Sequence, residues 1–476
     1  MEAMESLKDA STDAAKPLIA HPSPSVTSPC PSAESDNPLA RFEPLLSAIS
    51  LQSLIALAVR VRRYSLKTRD QVVDQSLQCT VVQPPNCGSF NLLYTLEFSD
   101  GAKWAVRIPC PGENGSLVPK SPRMLFSEIM TMSFIRRNTS IPIPRVYDFC
   151  ETPSNEIGVP YILMEFAEGF PVYQKWFDDT GPTPKLERQM RILDTTAAAM
   201  SQLSKFQFDK IGSLHFEPGN SSLIDIRQCN VVDETTGIAD TQSGAKYSRI
   251  GPFDSSQEYF VALLRMRETP SDPFSIGILH LLKMMIECIP RSVSLDTGTP
   301  EDDRESFVLA HPDFDSQNVL VSEDGTLTAL LDWDNVHTVP RCIGYSRYPA
   351  WITRDWDPAM YGYGGSAYRP ENSPEELESY RHHYAERMKT STSDTVDFQT
   401  KSHQFEALWI AVSNPMCTDK IVEKIFNYLF PEDEQEDLEE PMYFYETAVD
   451  LAEDLLGKDN ELRVRKAFEE FFNVYI

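Results

Sequence analysis

His311-Pro312-Asp313-Phe314-Asp315-Ser316-Gln317-Asn318-Val319-Leu320-Val321 leads through Ser322-Glu323-Asp324-Gly325-Thr326 into Leu327-Thr328-Ala329-Leu330-Leu331-Asp332-Trp333-Asp334. Asp324-Gly325 between two apolar runs is a strong hairpin signal, because the turn needs residues that tolerate positive φ. A two-residue loop there sets Asn318 opposite Leu331, and other loop types shift this by about one residue. Asn318 and Asp332 then lie roughly 5–8 Å apart by cross-strand spacing. An amide oxygen and a carboxylate at that separation can share a hard divalent cation such as Mg²⁺, which prefers oxygen ligands and phosphates. Asp313 sits just outside the strand, where a carboxylate accepts or orients the proton of an attacking hydroxyl. His311 and Pro312 shape the loop. Each residue alone reads as part of an acidic loop capping a surface hairpin; it is their order that points to chemistry.

Upstream of this stretch the chain is strand-rich. Residues 79–82 read as a strand, Pro84 to Ser89 as a turn, and 90–98 as an alternating strand. Ser99-Asp100-Gly101 then signals a hairpin into the strand 103–108. Residues 124–137 read as a helix with Leu125, Ile129 and Met132 on one face and Glu128 at its edge. Pro142 and Pro144 end it, and 146–150 and 161–166 read as two more strands. Residues 45–61 form an apolar helical run before the first strand. Beyond Gly169 the pattern is mostly helical, at 186–208, 259–267, 276–289, 375–389, 422–430 and 442–472. The implied organisation is a disordered Pro/Ser/Thr-rich segment 1–40, a small lobe 41–167, a larger lobe 168–430, and an acidic linker with a C-terminal helix at 431–476.

Composition narrows the function classes. Lys and Arg total 43 against 71 Asp and Glu, a net charge of −28. That balance argues against a nucleic-acid reader, which needs a concentrated basic footprint, and against anionic lipid surfaces. No apolar run is long enough to span a bilayer. Nine cysteines, with no C-x-x-C pair, suit free thiols in a reducing compartment. Glu2, Glu5, Asp9 and Asp13 stand where a mitochondrial presequence is poor in acids, and no secretory signal is evident, so the expected address is cytoplasmic.

The order H-x-D-x-x-x-x-N followed by D-W-D resembles the aminoglycoside phosphotransferase and choline kinase family, a small-molecule branch of the protein-kinase-like fold. Pro312 stands where protein kinases have Arg, and Trp333-Asp334 where they have Phe-Gly. The likeness to fungal phosphotransferase-family proteins extends to Gly88-Ser89-Phe90-Asn91, to Trp104-Ala105-Val106-Arg107-Ile108-Pro109 and to Phe208-Asp209-Lys210-Ile211-Gly212-Ser213-Leu214. It covers roughly residues 45–430.

The resemblance implies an α+β bilobal protein-kinase-like fold. A small antiparallel-sheet lobe with one long helix would precede a larger, mostly helical lobe. It implies ATP and Mg²⁺ as cofactors and, as partner, a small-molecule acceptor with a hydroxyl group, neutral or cationic. Asp313 would be the catalytic base, and Asn318 and Asp332 the metal ligands. Gly88, Ser89, Phe90 and Asn91 would cover the phosphates. Arg107, positioned by Glu128, would contact them, and the backbone at Glu165 and Ala167 would meet the adenine edge. Arg107 departs from the usual Lys: it keeps the charge but is longer and planar. Lys103 shares its strand face but lies about 13 Å away along the strand. The departure leaves a non-catalytic nucleotide-binding or scaffolding protein as the alternative, with a mitochondrial member of the same superfamily as a third reading. Aromatic residues after Asp332 (Tyr345, Tyr348, Trp351, Trp356, Tyr361, Tyr363) read equally as core or as the wall of an acceptor pocket.

Overall fold

The apolar run near the start forms two helices, α1 (Glu43–Ala48) and α2 (Leu51–Lys67). Ile49 takes an extended conformation between them, and the Ser50 hydroxyl caps α2 by accepting from Ser53 N–H at 3.2 Å. The computed structural model describes residues 38–72, 74–88, 91–109, 122–217, 220–233, 246–267, 269–291, 304–365, 370–391, 398–435 and 441–474. The segment read as disordered lies almost wholly outside the described residues, as do Ser89 and Phe90 of the expected phosphate-covering loop.

Six antiparallel strands build the small lobe: β1 (Cys79–Val81), β2 (Asn86–Cys87), β3 (Asn91–Phe98), β4 (Lys103–Pro109), β5 (Val146–Cys150) and β6 (Tyr161–Glu165). Their order is β1-β3-β4-β6-β5, with β2 pairing on β3. Leu92, Tyr94, Leu96 and Phe98 of β3 alternate into the core, as period-two patterning requires. Gly101 turns the β3–β4 hairpin at φ 84°. The central strand β4 is covered on both faces. Trp104, Val106 and Ile108 join the core with α1 and α2, which sends Ala105 and Arg107 to the other face. There the long helix α3 (Pro122–Asn138) seats Leu125 and Ile129 against Ile162. One turn further on, Met132 and Ile135 enter the core of the larger lobe, so α3 bridges the two lobes.

The larger lobe is less uniformly helical than its sequence suggests. Between the helices Lys185–Met200 and Ser256–Arg265 lie two antiparallel ladders, Ser213–Glu217 with Asn220–Arg227 and Cys229–Asp233 with Lys246–Ile250. Two further three-stranded sheets frame the cleft. One joins Phe170–Pro171, Val319–Val321 and Leu327–Leu330; the other joins Gln207–Phe208, Phe307–Leu309 and Thr338–Pro340.

Near the C-terminus Glu432–Gln435 forms a short helix with Glu432, Asp433 and Glu434 exposed, and buried Gln435 accepts from Met442 N–H at 3.2 Å; residues 436–440 of the acidic run lie outside the described residues. The last helical region splits at Gly457 (φ 75°) into Phe444–Ala452 and Lys458–Phe472. Ala448, Val464, Phe468 and Phe472 pack with Leu281, Met285 and Phe426 in the core of the larger lobe. Gly277 makes the closest of these contacts, because a Cβ there would meet the Ala448 carbonyl oxygen at 1.8 Å. Every described cysteine is a free thiol, and no described helix is long and apolar enough to cross a membrane.

Candidate active site

The hairpin forms in the register read from the sequence. Val319 pairs with Leu330, and Leu331 N–H donates to the Asn318 carbonyl at 2.8 Å. The loop itself is one residue longer than the two-residue turn. Ser322 N–H donates to Thr326 O at 2.9 Å, Gly325 takes φ 91°, and an irregularity after Leu320 absorbs the extra residue. Gly325 also lies against Arg188, whose carbonyl oxygen would be 2.5 Å from an added Cβ.

Asn318 donates its Nδ2 to the Asp313 carbonyl at 2.9 Å and to Asp313 Oδ2 at 2.8 Å; Gln317 Nε2 reaches the same oxygen at 3.0 Å. Asp313 is therefore held from both its backbone and its side chain while remaining exposed. Desolvation by the surrounding walls, followed by the like charge of Asp315, raises its carboxyl above the ordinary aspartate value. His311 is buried, and its pKa is pushed down to about 4 by desolvation, so at neutral pH it is uncharged. Its Nε2 lies 2.7 Å from the Leu331 carbonyl and therefore carries the proton, tying the Asp313 loop to the residue before Asp332. Trp333 is fully buried, packs edge-on against His311 at 4.6 Å and donates Nε1 to Leu330 O at 3.2 Å.

Asp332 adopts a left-handed conformation (φ 57°), an uncommon one for a residue with a Cβ. Its Oδ1 accepts from Arg107 Nη1 at 3.2 Å, and the other guanidinium arm of Arg107 pairs with Glu128. Glu128 is 1% exposed and Arg107 8%. Burial opposes the Arg107 charge, but Glu128, Asp332 and Asp334 outweigh it and raise its pKa above the ordinary value. Lys103 lies at the far end of β4, half-exposed and paired with Glu97 at 3.2 Å, so it does not join this cluster.

Glu165 and Ala167, expected at the adenine edge, stand at the end of β6 and just beyond it. Glu165 N–H donates to Arg145 O at 2.8 Å, and its carboxylate accepts from Arg145 N–H at 3.1 Å. Its N–H is thus committed within the sheet, and Ala167 follows two residues on, past the end of the strand. Gly88 N–H donates to Asn91 O at 2.9 Å, closing the β2–β3 turn in which Ser89 and Phe90 lie outside the described residues.

Among the described residues, no three or more His, Cys, Asp or Glu side chains gather as a metal cage. Mg²⁺ does not require one, since it commonly keeps water and takes phosphate oxygens beside one or two protein ligands. The amide oxygen of Asn318 and the carboxylate of Asp332 fit that demand. The Asn318 amide nitrogen is turned to Asp313, which leaves its oxygen for other use.

Several positioning residues carry no motif. Arg347, 6% exposed, donates Nη2 to the His311 carbonyl at 2.8 Å and pairs through Nη1 with buried Glu406 at 3.1 Å. Arg354 pairs with Asp315 at 2.5 Å. These contacts span more than 30 residues, so no local spacing announces them. Of the aromatic residues after Asp332, Tyr345, Tyr348, Trp351 and Trp356 are core, whereas Tyr361 and Tyr363 stack at 6.1 Å with Tyr363 exposed.

The family model described as the phosphotransferase enzyme family matches residues 83–382. The chain belongs to that family. Its fold is the bilobal protein-kinase-like α+β arrangement that the resemblance implied. A curated relative from Zygosaccharomyces rouxii, altered inheritance of mitochondria protein 9, mitochondrial, is 23% identical over 310 residues, 54% of this chain and 49% of the relative. The protein of the same name from Candida tropicalis is 27% identical over 130 residues, 27% of this chain and 20% of the relative. A subtelomeric hrmA-associated cluster protein from Aspergillus fumigatus is 30% identical over 128 residues, covering 27% and 23%. The chain thus spans about half or less of the length of these relatives. A solved macrolide 2′-phosphotransferase type I is 12% identical, covering 83% of this chain and 96% of its own, with a TM-score of 0.39. The macrolide 2′-phosphotransferase from Brachybacterium faecium is 10% identical, covering 82% and 96%, with a TM-score of 0.37.

The relatives named mitochondrial overturn the cytoplasmic address expected from the sequence. That expectation rested on Glu2, Glu5, Asp9 and Asp13, and acid content reports only how poorly one short segment matches an average presequence.

Proposed function

We propose that this protein is a phosphotransferase that uses ATP and Mg²⁺ to move the γ-phosphoryl group to a hydroxyl of a small molecule. The observation that carries the reading is the pairing of a fixed, exposed Asp313 carboxylate with a buried Arg107–Glu128 pair that reaches Asp332 next door. Arg107 would hold phosphate oxygens, with Glu128 fixing its planar fork. Asn318 and Asp332 would hold Mg²⁺, which supplies charge neutralisation for the phosphates. Asp313 would orient the acceptor hydroxyl and take its proton. The acceptor oxygen then forms the bond to the γ-phosphorus, and the bridging oxygen leaves on ADP with the electron pair. A carboxyl raised above its usual value accepts that proton more readily. The rest of the work is positioning, which His311, Arg347 and Glu406 support by fixing the loop. Gly88, Ser89, Phe90 and Asn91 would lie over the phosphates, with the backbone of Glu165 and Ala167 at the adenine.

Asp315, Arg354 and the stacked Tyr361 and Tyr363 lie on the segments leading away from Asp313. The exposed Tyr363 ring, stacked on Tyr361, suits a neutral or cationic acceptor. The test is an ADP-release screen over hydroxylated amines and sugars. Acceptor-dependent release that disappears in Asp313→Ala is expected; full release in that variant would remove Asp313 from the role. Arg107 in place of Lys favours one other reading, a nucleotide-binding scaffold, which would bind MgATP yet release no ADP with any acceptor.

A further inference from the structure

Between α3 and the ladder of Ser213–Glu217 with Asn220–Arg227 lies a cavity of about 390 Å³ that the reading above does not use. Its walls come from four parts of the chain: Met124, Ser127 and Glu128 of α3; the ladder of Ser213–Glu217 with Asn220–Arg227; Arg249 and Pro252 at the end of the next ladder; and Asn335 with Val336, three and four residues past Asp332. The volume falls at the small end of ligand cavities, roughly 300–1,000 Å³.

The walls are fixed rather than loosely apposed. Ser127 Oγ donates to Leu214 O at 2.7 Å, which sets the spacing between helix and ladder. At the base of the ladder, Gly212 exchanges bonds with Thr338, through Gly212 N–H to Thr338 Oγ1 at 2.8 Å and Thr338 N–H to Gly212 O at 2.9 Å. A side chain at position 212 would meet Arg227 O at 2.2 Å, so the close approach requires glycine.

The chemistry of the lining is two-sided. Met124, Leu214, Ile226, Pro252 and Val336 give an apolar body, with Leu214 and Ile226 paired across the ladder. Arg227 and Arg249, both exposed, also belong to the lining, as do His215 and Gln228. Arg227 also leans on Asp225 at 3.0 Å, an exposed pair of little strength. The one carboxylate in the lining, Glu128, is already engaged by Arg107. Two cations over an apolar floor call for an anion carried on a small apolar body.

We propose that this cavity binds a small carboxylate with an apolar body, and that its occupancy adjusts the Arg107–Glu128 pair and with it nucleotide affinity. Glu128 is the shared wall: one oxygen holds Arg107 while its stem lines the cavity. A ligand that shifts α3 by a fraction of an ångström changes the geometry of the pair, and linkage makes the coupling reciprocal. The coupling half rests on Arg107 as the phosphate contact; the binding half does not.

The test uses the full chain and calorimetric titration with 4-phenylbutyrate, indole-3-propionate and octanoate, with 4-phenylbutanamide as the uncharged control. Saturable one-to-one binding of at least one carboxylate is expected, weakened about tenfold or more by R227A/R249A and by loss of the charge in the amide. Both arginines are exposed, so that variant should fold as the parent does. Met124→Trp, which fills the rim, should reduce binding by a different route. MgATP affinity measured with and without saturating probe should differ about two- to fivefold. No saturable binding by any of the three probes, or binding unchanged in both variants, overturns the site. Binding that leaves MgATP affinity untouched overturns the coupling. Because the probe is titrated without nucleotide or turnover, failure of the kinase reading leaves the binding result standing.

Discussion

Asp313 and Asn318 are five positions apart and meet through two short hydrogen bonds, whereas Arg107 reaches Glu128 and Asp332 across 21 and 225 positions. The first half of the cleft is a local device: a loop folded on itself, with an exposed carboxylate at its tip. The second is assembled from a central strand, the bridging helix and the turn after a hairpin, and its Arg107 and Glu128 charges are buried beside a half-exposed Asp332. The contrast separates the two halves by stability. Removing a group from the local half should cost chemistry alone; removing one from the assembled half should cost the fold as well, because a buried charge is left without its partner.

The sharpest break of that contrast is Asp313→Ala. We expect turnover to fall by about 10²–10⁴-fold, with unfolding free energy changed by less than about 1 kcal/mol. The counterpart in the other half is Glu128→Ala, which leaves the buried Arg107 with only Asp332 and the more distant charge of Asp334. About 3 kcal/mol of destabilisation in urea unfolding is expected. If the two variants lose stability equally, the division between the halves is wrong.

His311 gives a pH handle on the joint between them. Its folded pKa is about 4, against about 6.5 unfolded. The unfolded chain therefore binds the extra proton between these values, so stability is full above pH 6.5 and is lost as pH falls through 4. The total is about 3 kcal/mol. His311→Gln can keep a donor toward Leu331 O and should flatten the part of the acid slope due to His311. Partly buried His337 and His403, also held below their usual values by desolvation, preserve the remainder. The smallest effect belongs to Lys103→Ala: its half-exposed pair with Glu97 should contribute less than about 0.5 kcal/mol, and nucleotide affinity should not move.

What could be read from the sequence follows the same division. The Asp313-to-Asp332 motif, the hairpin register and the alternation of β3 are local patterns, and each was visible. The Arg107–Glu128 contact was reached only through the resemblance, since nothing in the spacing between them specifies it. Arg347, Glu406 and Arg354 were missed because their contacts depend on how distant helices pack. The ladders within 213–250 carried a signal that was overlooked: Leu214, Phe216, Ile224 and Ile226 alternate around Gly219-Asn220. The helix breaks at Ile49 and Gly457 interrupt apolar runs that look continuous. The address failed for a different reason, since it was drawn from composition and not from any contact.

The most direct test of phosphoryl transfer is ³¹P NMR of the full chain with MgATP and the pooled acceptor panel. A new phosphomonoester resonance growing as the γ-phosphate signal of ATP declines, and absent in Asp313→Ala, is the expected result. Conversion of ATP to ADP and inorganic phosphate alone, or an equal new resonance in the variant, would contradict it.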